Sequence, residues 1–182
     1  NPLNKLTSIK EIKKNINSDV ILVVDNTFSG PFFLKPLLLG ADLVIHSITK
    51  FIGGHNDLIA GSVSGRNDLI GKIKVTRTIM GTILDSETCW LIQRSLSTLK
   101  LRMIKQCENA KILVDYLKNS KFIKNVYYPG ISEDKHQLEI YRSEYMDSGS
   151  LISFEINGGK EEAFKILNEF KIIRLAVSLG SV

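Results

Sequence analysis

Cysteine is scarce in this chain, with two among 182 residues, Cys89 and Cys107. Neither forms a CxxC pair or a Cys/His spacing, so no metal site is expected and a disulfide scaffold is excluded. Both fall on an apolar helical stripe and read as reduced core residues, which favours a cytoplasmic setting. Long hydrophobic runs are also missing. Lys35, Gly40 and Asp42 interrupt them, and none approaches the ~20 residues that span a bilayer, so no membrane partner is expected. The chain opens on Asn1-Pro2 without a charged segment followed by an apolar one, so no signal peptide is expected. Without an initiating Met, it reads as an internal segment of a longer protein. Charge of one sign is never concentrated. The net charge of +5 comes from lysines scattered among Ile and Asn, and a nucleic-acid partner is not expected. What is present is ordinary for a globular protein. At 43% hydrophobic residues, 182 positions suffice for one domain, or pieces of two, around a real core.

Local patterns give an order of elements. Residues 7–18 predict a short amphipathic helix with Ile9, Ile12 and Ile16 on one face, capped by Thr7 or Ser8 with Glu11 three positions after Ser8. The β-branched run at residues 20–24 predicts a central parallel strand buried on both faces, followed by Asp25-Asn26-Thr27. Polar residues there face the crevice where open α/β sheets bind ligands. Residues 31–40 form an apolar connector ending at Gly40. Residues 42–46 predict the next buried strand, residues 58–64 a third with small side chains, and Asn67-Asp68 caps a helix to about Thr76. A long helix over about 87–117 carries Cys89, Ile92, Leu96, Leu99, Met103, Cys107, Ala110, Leu113 and Leu117 as one stripe. Beyond it, Val126-Tyr127-Tyr128 and the alternation Ile152, Phe154, Ile156 predict strands with antiparallel pairing, and residues 160–170 a helix packed on them. The second part is therefore α+β.

The chemistry centres on His46-Ser47-Ile48-Thr49-Lys50-Phe51-Ile52-Gly53-Gly54-His55. One lysine follows two hydroxyl residues at the end of an apolar strand and precedes a glycine turn. A lysine held in a pocket loses its proton more readily and becomes a nucleophile or Schiff-base former. Ser47 and Thr49 can hold a phosphate, and Asp25, at a neighbouring strand end about 5 Å away, can hold a pyridine nitrogen. That combination is the requirement of pyridoxal phosphate (PLP) chemistry. Each residue also has an ordinary reading: Asp25 as a turn former, Lys50 as a surface charge, Ser47 and Thr49 as loop hydroxyls, His46 and His55 as packed residues. Gly53-Gly54 completes no phosphate loop, because Lys50 precedes the glycines.

The order Asp25-Asn26-Thr27, Pro36-Leu37, Leu39-Gly40-Ala41-Asp42, His46-Ser47-Ile48-Thr49-Lys50, Gly54-His55-Asn56-Asp57 and Ala60-Gly61 closely resembles the Cys/Met-metabolism (trans-sulfuration) PLP enzymes. These are cystathionine γ-synthase, cystathionine γ-lyase, cystathionine β-lyase and methionine γ-lyase. The likeness continues through Arg94-Ser95-Leu96-Ser97-Thr98-Leu99, Arg102-Met103, Tyr128-Pro129-Gly130 and Ala176-Val177-Ser178-Leu179-Gly180, and so covers essentially the whole chain.

The resemblance implies an α/β, aminotransferase-like fold (fold type I) with a smaller α+β C-terminal domain, assembled as a homotetramer of close dimers. Residues 1–100 then belong to the C-terminal half of the PLP-binding domain and 101–182 to a partial small domain, with the long helix bridging them. The resemblance assigns Lys50 to the covalent bond with PLP and to catalysis, and Asp25 to the pyridine nitrogen. Ser47 and Thr49 go to the phosphate, Asn1 and Thr27 to the vicinity of the ring, and Ser178 to the substrate carboxylate. It implies a cytoplasmic enzyme that makes or breaks a C–S bond on cystathionine, methionine or an activated homoserine, by β/γ-elimination or γ-replacement. The alternative is a truncated, non-catalytic fragment, because the family's phosphate loop, ring-stacking tyrosine and carboxylate-clamping arginine have no counterpart here. Ile48 stands where the family usually has Ala, and Phe51 where Tyr is common; both remain apolar, so repacking is expected. Residues 52–61 lean towards the synthases and residues 178–182 towards the lyases.

Overall fold

The computed structural model describes residues 2–176 and 178–181. The first helix, α1 (Ile9–Asn15), starts where Ser8 Oγ accepts the Glu11 amide at 3.1 Å. Further contacts at this helix start come from far along the chain. The carboxylate of Glu144 accepts from Ser8 Oγ at 2.5 Å and from the amides of Ile9 at 2.8 Å and Lys10 at 3.2 Å. A buried anion thus meets the unpaired amides and the positive end of α1.

Strands β1 (Val23–Asp25), β2 (Leu43–Ser47) and β3 (Gly61–Gly65) form one sheet in the order β1-β2-β3. β1 runs parallel to β2, and β3 runs antiparallel to it. The connector between β1 and β2 contains a short helix, α2 (Gly30–Phe33), and a tight 3-10 turn over Pro36–Leu39 that closes at Gly40. Asp42, buried at the start of β2, accepts from Leu22 N at 2.9 Å, Lys13 Nζ at 2.9 Å and Arg66 Nη1 at 3.0 Å. One carboxylate therefore ties α1, the entry to β1 and the exit from β3.

The expected strand over residues 20–24 is corrected in extent. β1 has three residues, and Val20, Ile21 and Val23 are exposed. Among the described residues β1 pairs with β2 alone.

α3 (Asn67–Met80) runs four residues past the expected end at Thr76 and closes at Gly81. α4 (Ser86–Lys118) is 33 residues long, about 50 Å at 1.5 Å per residue, and is capped by Asp85, whose Oδ1 accepts the Thr88 amide. After it come β4 (Ile123–Tyr127), α5 (Lys135–Glu144), β5 (Ser153–Ile156) and α6 (Lys160–Glu169), with β4 and β5 antiparallel as expected. The sequence pattern did not disclose α5.

α4 serves two apolar clusters. Leu99, Met103 and Cys107 pack with Phe33, Ile48, Phe51, Ile52 and Leu58, while Ala110 and Val114 pack with Tyr128. The buried face is Ser95, Leu99, Met103, Cys107, Ala110 and Val114. Cys89, Leu96 and Leu113, placed on the stripe by periodicity, are exposed instead. α4 carries apolar residues on several sides, and tertiary packing selects one of them.

Candidate active site

The site lies where β1 and β2 end side by side. Their parallel register pairs Asp25 with Ile45, and the Asn26 amide extends the ladder by donating to Ile45 O at 2.8 Å. Asp25 Oδ1 accepts from the Thr27 amide at 3.0 Å and from Thr27 Oγ1 at 2.6 Å. Thr27 Oγ1 in turn accepts the Ser47 amide at 2.8 Å. One hydroxyl therefore aims the Asp25 carboxylate and fixes the end of β2. Asp25 Oδ2 and the Ser47 hydroxyl make no hydrogen bond among the described residues, and Asp25 is exposed.

Lys50 sits in a wide turn, Ile48–Ile52, where Gly53 N donates to Ile48 O at 2.7 Å and Gly54 N to Lys50 O at 2.8 Å. The helical path breaks at Lys50 itself, at φ −85° and ψ −125°. Its Nζ donates to Ser178 Oγ at 2.9 Å, which brings together two of the expected residues across 128 positions of chain. Gly180, at φ +95°, makes the approach possible. A Cβ there would lie 2.9 Å from Phe51 N and 3.0 Å from the Lys50 carbonyl carbon.

Thr49 departs from its expected arrangement. Its hydroxyl donates to Ala60 O at 3.3 Å and accepts the Ala60 amide at 3.0 Å, so it joins the turn to the start of β3 instead of standing free for a phosphate. Asn1 lies outside the described residues.

Two neighbours of the site carried no assigned role. Asn26 is buried, and its Nδ2 donates to Gly30 O at 2.8 Å and Leu34 O at 3.1 Å and lies 3.3 Å from His46 Nε2. The two hydrogens of Nδ2 are used by the Gly30 and Leu34 carbonyls, the shorter contacts. Burial lowers the His46 pKa, against an opposing pull from the Asp25 charge, in keeping with a neutral ring. Arg102, on the buried side of α4, donates to Phe51 O at 2.8 Å and Ile52 O at 3.0 Å, directly after Lys50. The signal for it was a guanidinium spaced three residues from Leu99 on the packed side of a helix. His55 is exposed, and its Nδ1 lies 2.7 Å from Gly53 O within its own turn.

The donor set fits a pyridoxal phosphate. It holds an amine, a carboxylate with one oxygen open to a ring N–H, and a hydroxyl with free donor capacity. A cavity of about 460 Å³ lies elsewhere, between Asn4, Tyr127 and Gln137, and none of these groups lines it.

The family profile described as "Cys/Met metabolism PLP-dependent enzyme" matches residues 1–182. Among curated proteins, an L-methionine gamma-lyase of Fusobacterium nucleatum subsp. nucleatum is 39% identical over 184 residues, covering 99% of this chain and 46% of that protein. A cystathionine beta-lyase of Lactococcus lactis subsp. cremoris is 38% identical over 185 residues, covering 100% of this chain and 48% of that one. Among solved structures, a cystathionine gamma synthase from Xanthomonas oryzae pv. oryzae, in complex with aminoacrylate and cysteine, superposes with a TM-score of 0.94 at 31% identity, over 100% of this chain and 47% of that one. The chain thus spans about half the length of the curated relatives it matches.

Proposed function

Because the chain belongs to the Cys/Met metabolism PLP-dependent enzymes, we propose that the whole protein makes or breaks a C–S bond in an amino-acid substrate. The reaction is a β- or γ-elimination or a γ-replacement, on cystathionine, methionine or an activated homoserine. The observation that carries this reading is Lys50 Nζ held at 2.9 Å by Ser178 Oγ, next to the Asp25–Thr27–Ser47 chain of hydrogen bonds.

Bound pyridoxal phosphate supplies an electron sink for the pair released at the substrate Cα. The protein groups divide the remaining work. Lys50 is assigned the covalent attachment and, when its amine is free, removal of the α-proton. Ser178 Oγ accepts from that amine and limits where it points, and the same hydroxyl stands near the place assigned to the substrate carboxylate. Asp25 Oδ2 would accept the ring N–H, while Thr27 holds Oδ1 so that the carboxylate does not rotate away. Ser47 would donate to the phosphate. Thr49 would join it with its hydroxyl turned from the Ala60 carbonyl, and Asn1 is assigned to the ring edge. The two-part division at residues 100 and 101, the homotetramer and the cytoplasmic setting belong to the same proposal, supported by the family membership. The isolated segment is proposed to be inactive, because it spans 46% of the lyase it matches.

In the full-length protein, Lys50→Ala is expected to remove the visible band of lysine-bound cofactor and the borohydride-fixed adduct, and to cut turnover by about 10²–10⁴-fold or more. Retention of any of these near the parent level would overturn the assignment. Product identification with cystathionine, methionine and homoserine esters then separates synthase from lyase.

A further inference from the structure

The carbonyls of Phe51 and Ile52 follow Lys50 directly. Inside the turn, the nearby amides of Gly53 and Gly54 are spent on Ile48 O and Lys50 O. Both carbonyls belong to buried residues, where an unpaired carbonyl is costly. Arg102 meets them, Nη1 at 2.8 Å and Nη2 at 3.0 Å. The same guanidinium is held on its own helix, Nη2 by Ser95 O at 3.0 Å and Nε by Thr98 Oγ1 at 3.1 Å. None of these four partners is a carboxylate, and burial lowers the Arg102 pKa. What the site takes from arginine is therefore its rigid planar fork, which spans two successive carbonyls where an ammonium reaches one. Residue 54 agrees with this independently. A Cβ at Gly54 would fall 2.0 Å from Arg102 Nη1 and 2.8 Å from its Cζ, so the turn is left without a side chain where the guanidinium enters.

We propose that Arg102 is a positioning residue for Lys50. By pinning the two carbonyls after it to α4, Arg102 sets the direction in which the lysine leaves the backbone and hence its approach to Ser178 Oγ. This rests on the reading of Lys50 given above.

The test uses the full-length protein with Arg102→Met and Arg102→Lys, each checked for folding by circular dichroism. In the cofactor-free protein, both are expected to speed hydrogen exchange at the Gly53 and Gly54 amides and to change the rate at which an amine-acylating reagent labels Lys50. In the loaded protein, Arg102→Met is expected to shift the pH at which the lysine-bound cofactor band titrates. It should also lower kcat on the order of 10²-fold with KM little changed. Arg102→Lys is expected to recover part of the loss, because it restores one of the two carbonyl contacts. Folded variants with parental labelling, titration and kcat would overturn the proposal even if their melting temperature falls, since that pattern is support of the fold alone. If Arg102→Met does not fold, Arg102→Lys decides by the same readouts. If the parent protein gives no borohydride-fixed adduct at Lys50, the Lys50 reading fails first and this proposal falls with it.

Discussion

The Thr27 hydroxyl donates to Asp25 Oδ1 at 2.6 Å and accepts the Ser47 amide at 2.8 Å, so it uses both its donor and an acceptor position on groups that belong to different strands. Valine has nearly the same shape and neither capacity. Thr27→Val is expected to leave the Ser47 amide unpaired and Asp25 held only by the Thr27 amide, destabilising the protein by ~1–3 kcal/mol. Urea denaturation measures that loss, and titration with pyridoxal phosphate should show weaker cofactor binding. An unchanged denaturation midpoint would mean that water replaces the hydroxyl at no cost. Thr49 shows the limit of reading single residues. Its place beside Lys50 was visible in the sequence, but its bonds to Ala60 depend on a rotamer that only the folded turn defines.

α4 was legible as a helix because nothing in residues 86–118 breaks it and apolar residues recur every three or four positions. Its buried side was not legible, because Leu96, Leu101, Ile104, Ile112 and Leu113 add apolar residues on other sides. Substitution distinguishes the two patterns. Met103 is 2% exposed and lies against Gly30, where a Cβ would come 2.5 Å from its Cε, so Met103→Ala is expected to cost ~2–5 kcal/mol. Leu96 is 51% exposed, and Leu96→Ala is expected to change stability by about 0.5 kcal/mol or less. Thermal unfolding of the two variants checks the difference. A costly Leu96→Ala would mean that this side of α4 is covered in the full-length protein. α5 escaped notice because it is polar over most of its length; its one local signal was Asp134, whose Oδ1 accepts the His136 amide at 2.9 Å.

Across the molecule, two buried carboxylates join distant parts of the chain. Glu144, at the end of α5, caps α1, and Asp42 binds α1, β1 and the exit from β3 together. The Leu22 amide, then Lys13 and Arg66, hold the Asp42 carboxyl well below the usual carboxylate range. A folded pKa below the unfolded value gives stability that is complete above about pH 4 and is lost as the pH falls towards the folded value. Asp42→Asn is therefore expected to be less stable than the parent at neutral pH, with the gap closing below about pH 4. Denaturation midpoints from pH 7 to pH 2 would check this, and a gap that widens in acid would contradict it.

The residues of the lysine turn, the aspartate at the neighbouring strand end and the long helix could all be read along the chain. Each is a local pattern: a hydroxyl–lysine–glycine order, a polar residue ending a β-branched run, a repeat near 3.6. Folding decided the rest. It turned Cys89 outward and Ser95 inward, placed Ser178 Oγ against Lys50 Nζ across 128 residues, and brought Arg102 beneath the carbonyls that follow the lysine. Periodicity carries the spacing of side chains along one element. It does not carry which face meets which neighbour, and the hydrogen bonds that aim the lysine depend on that choice.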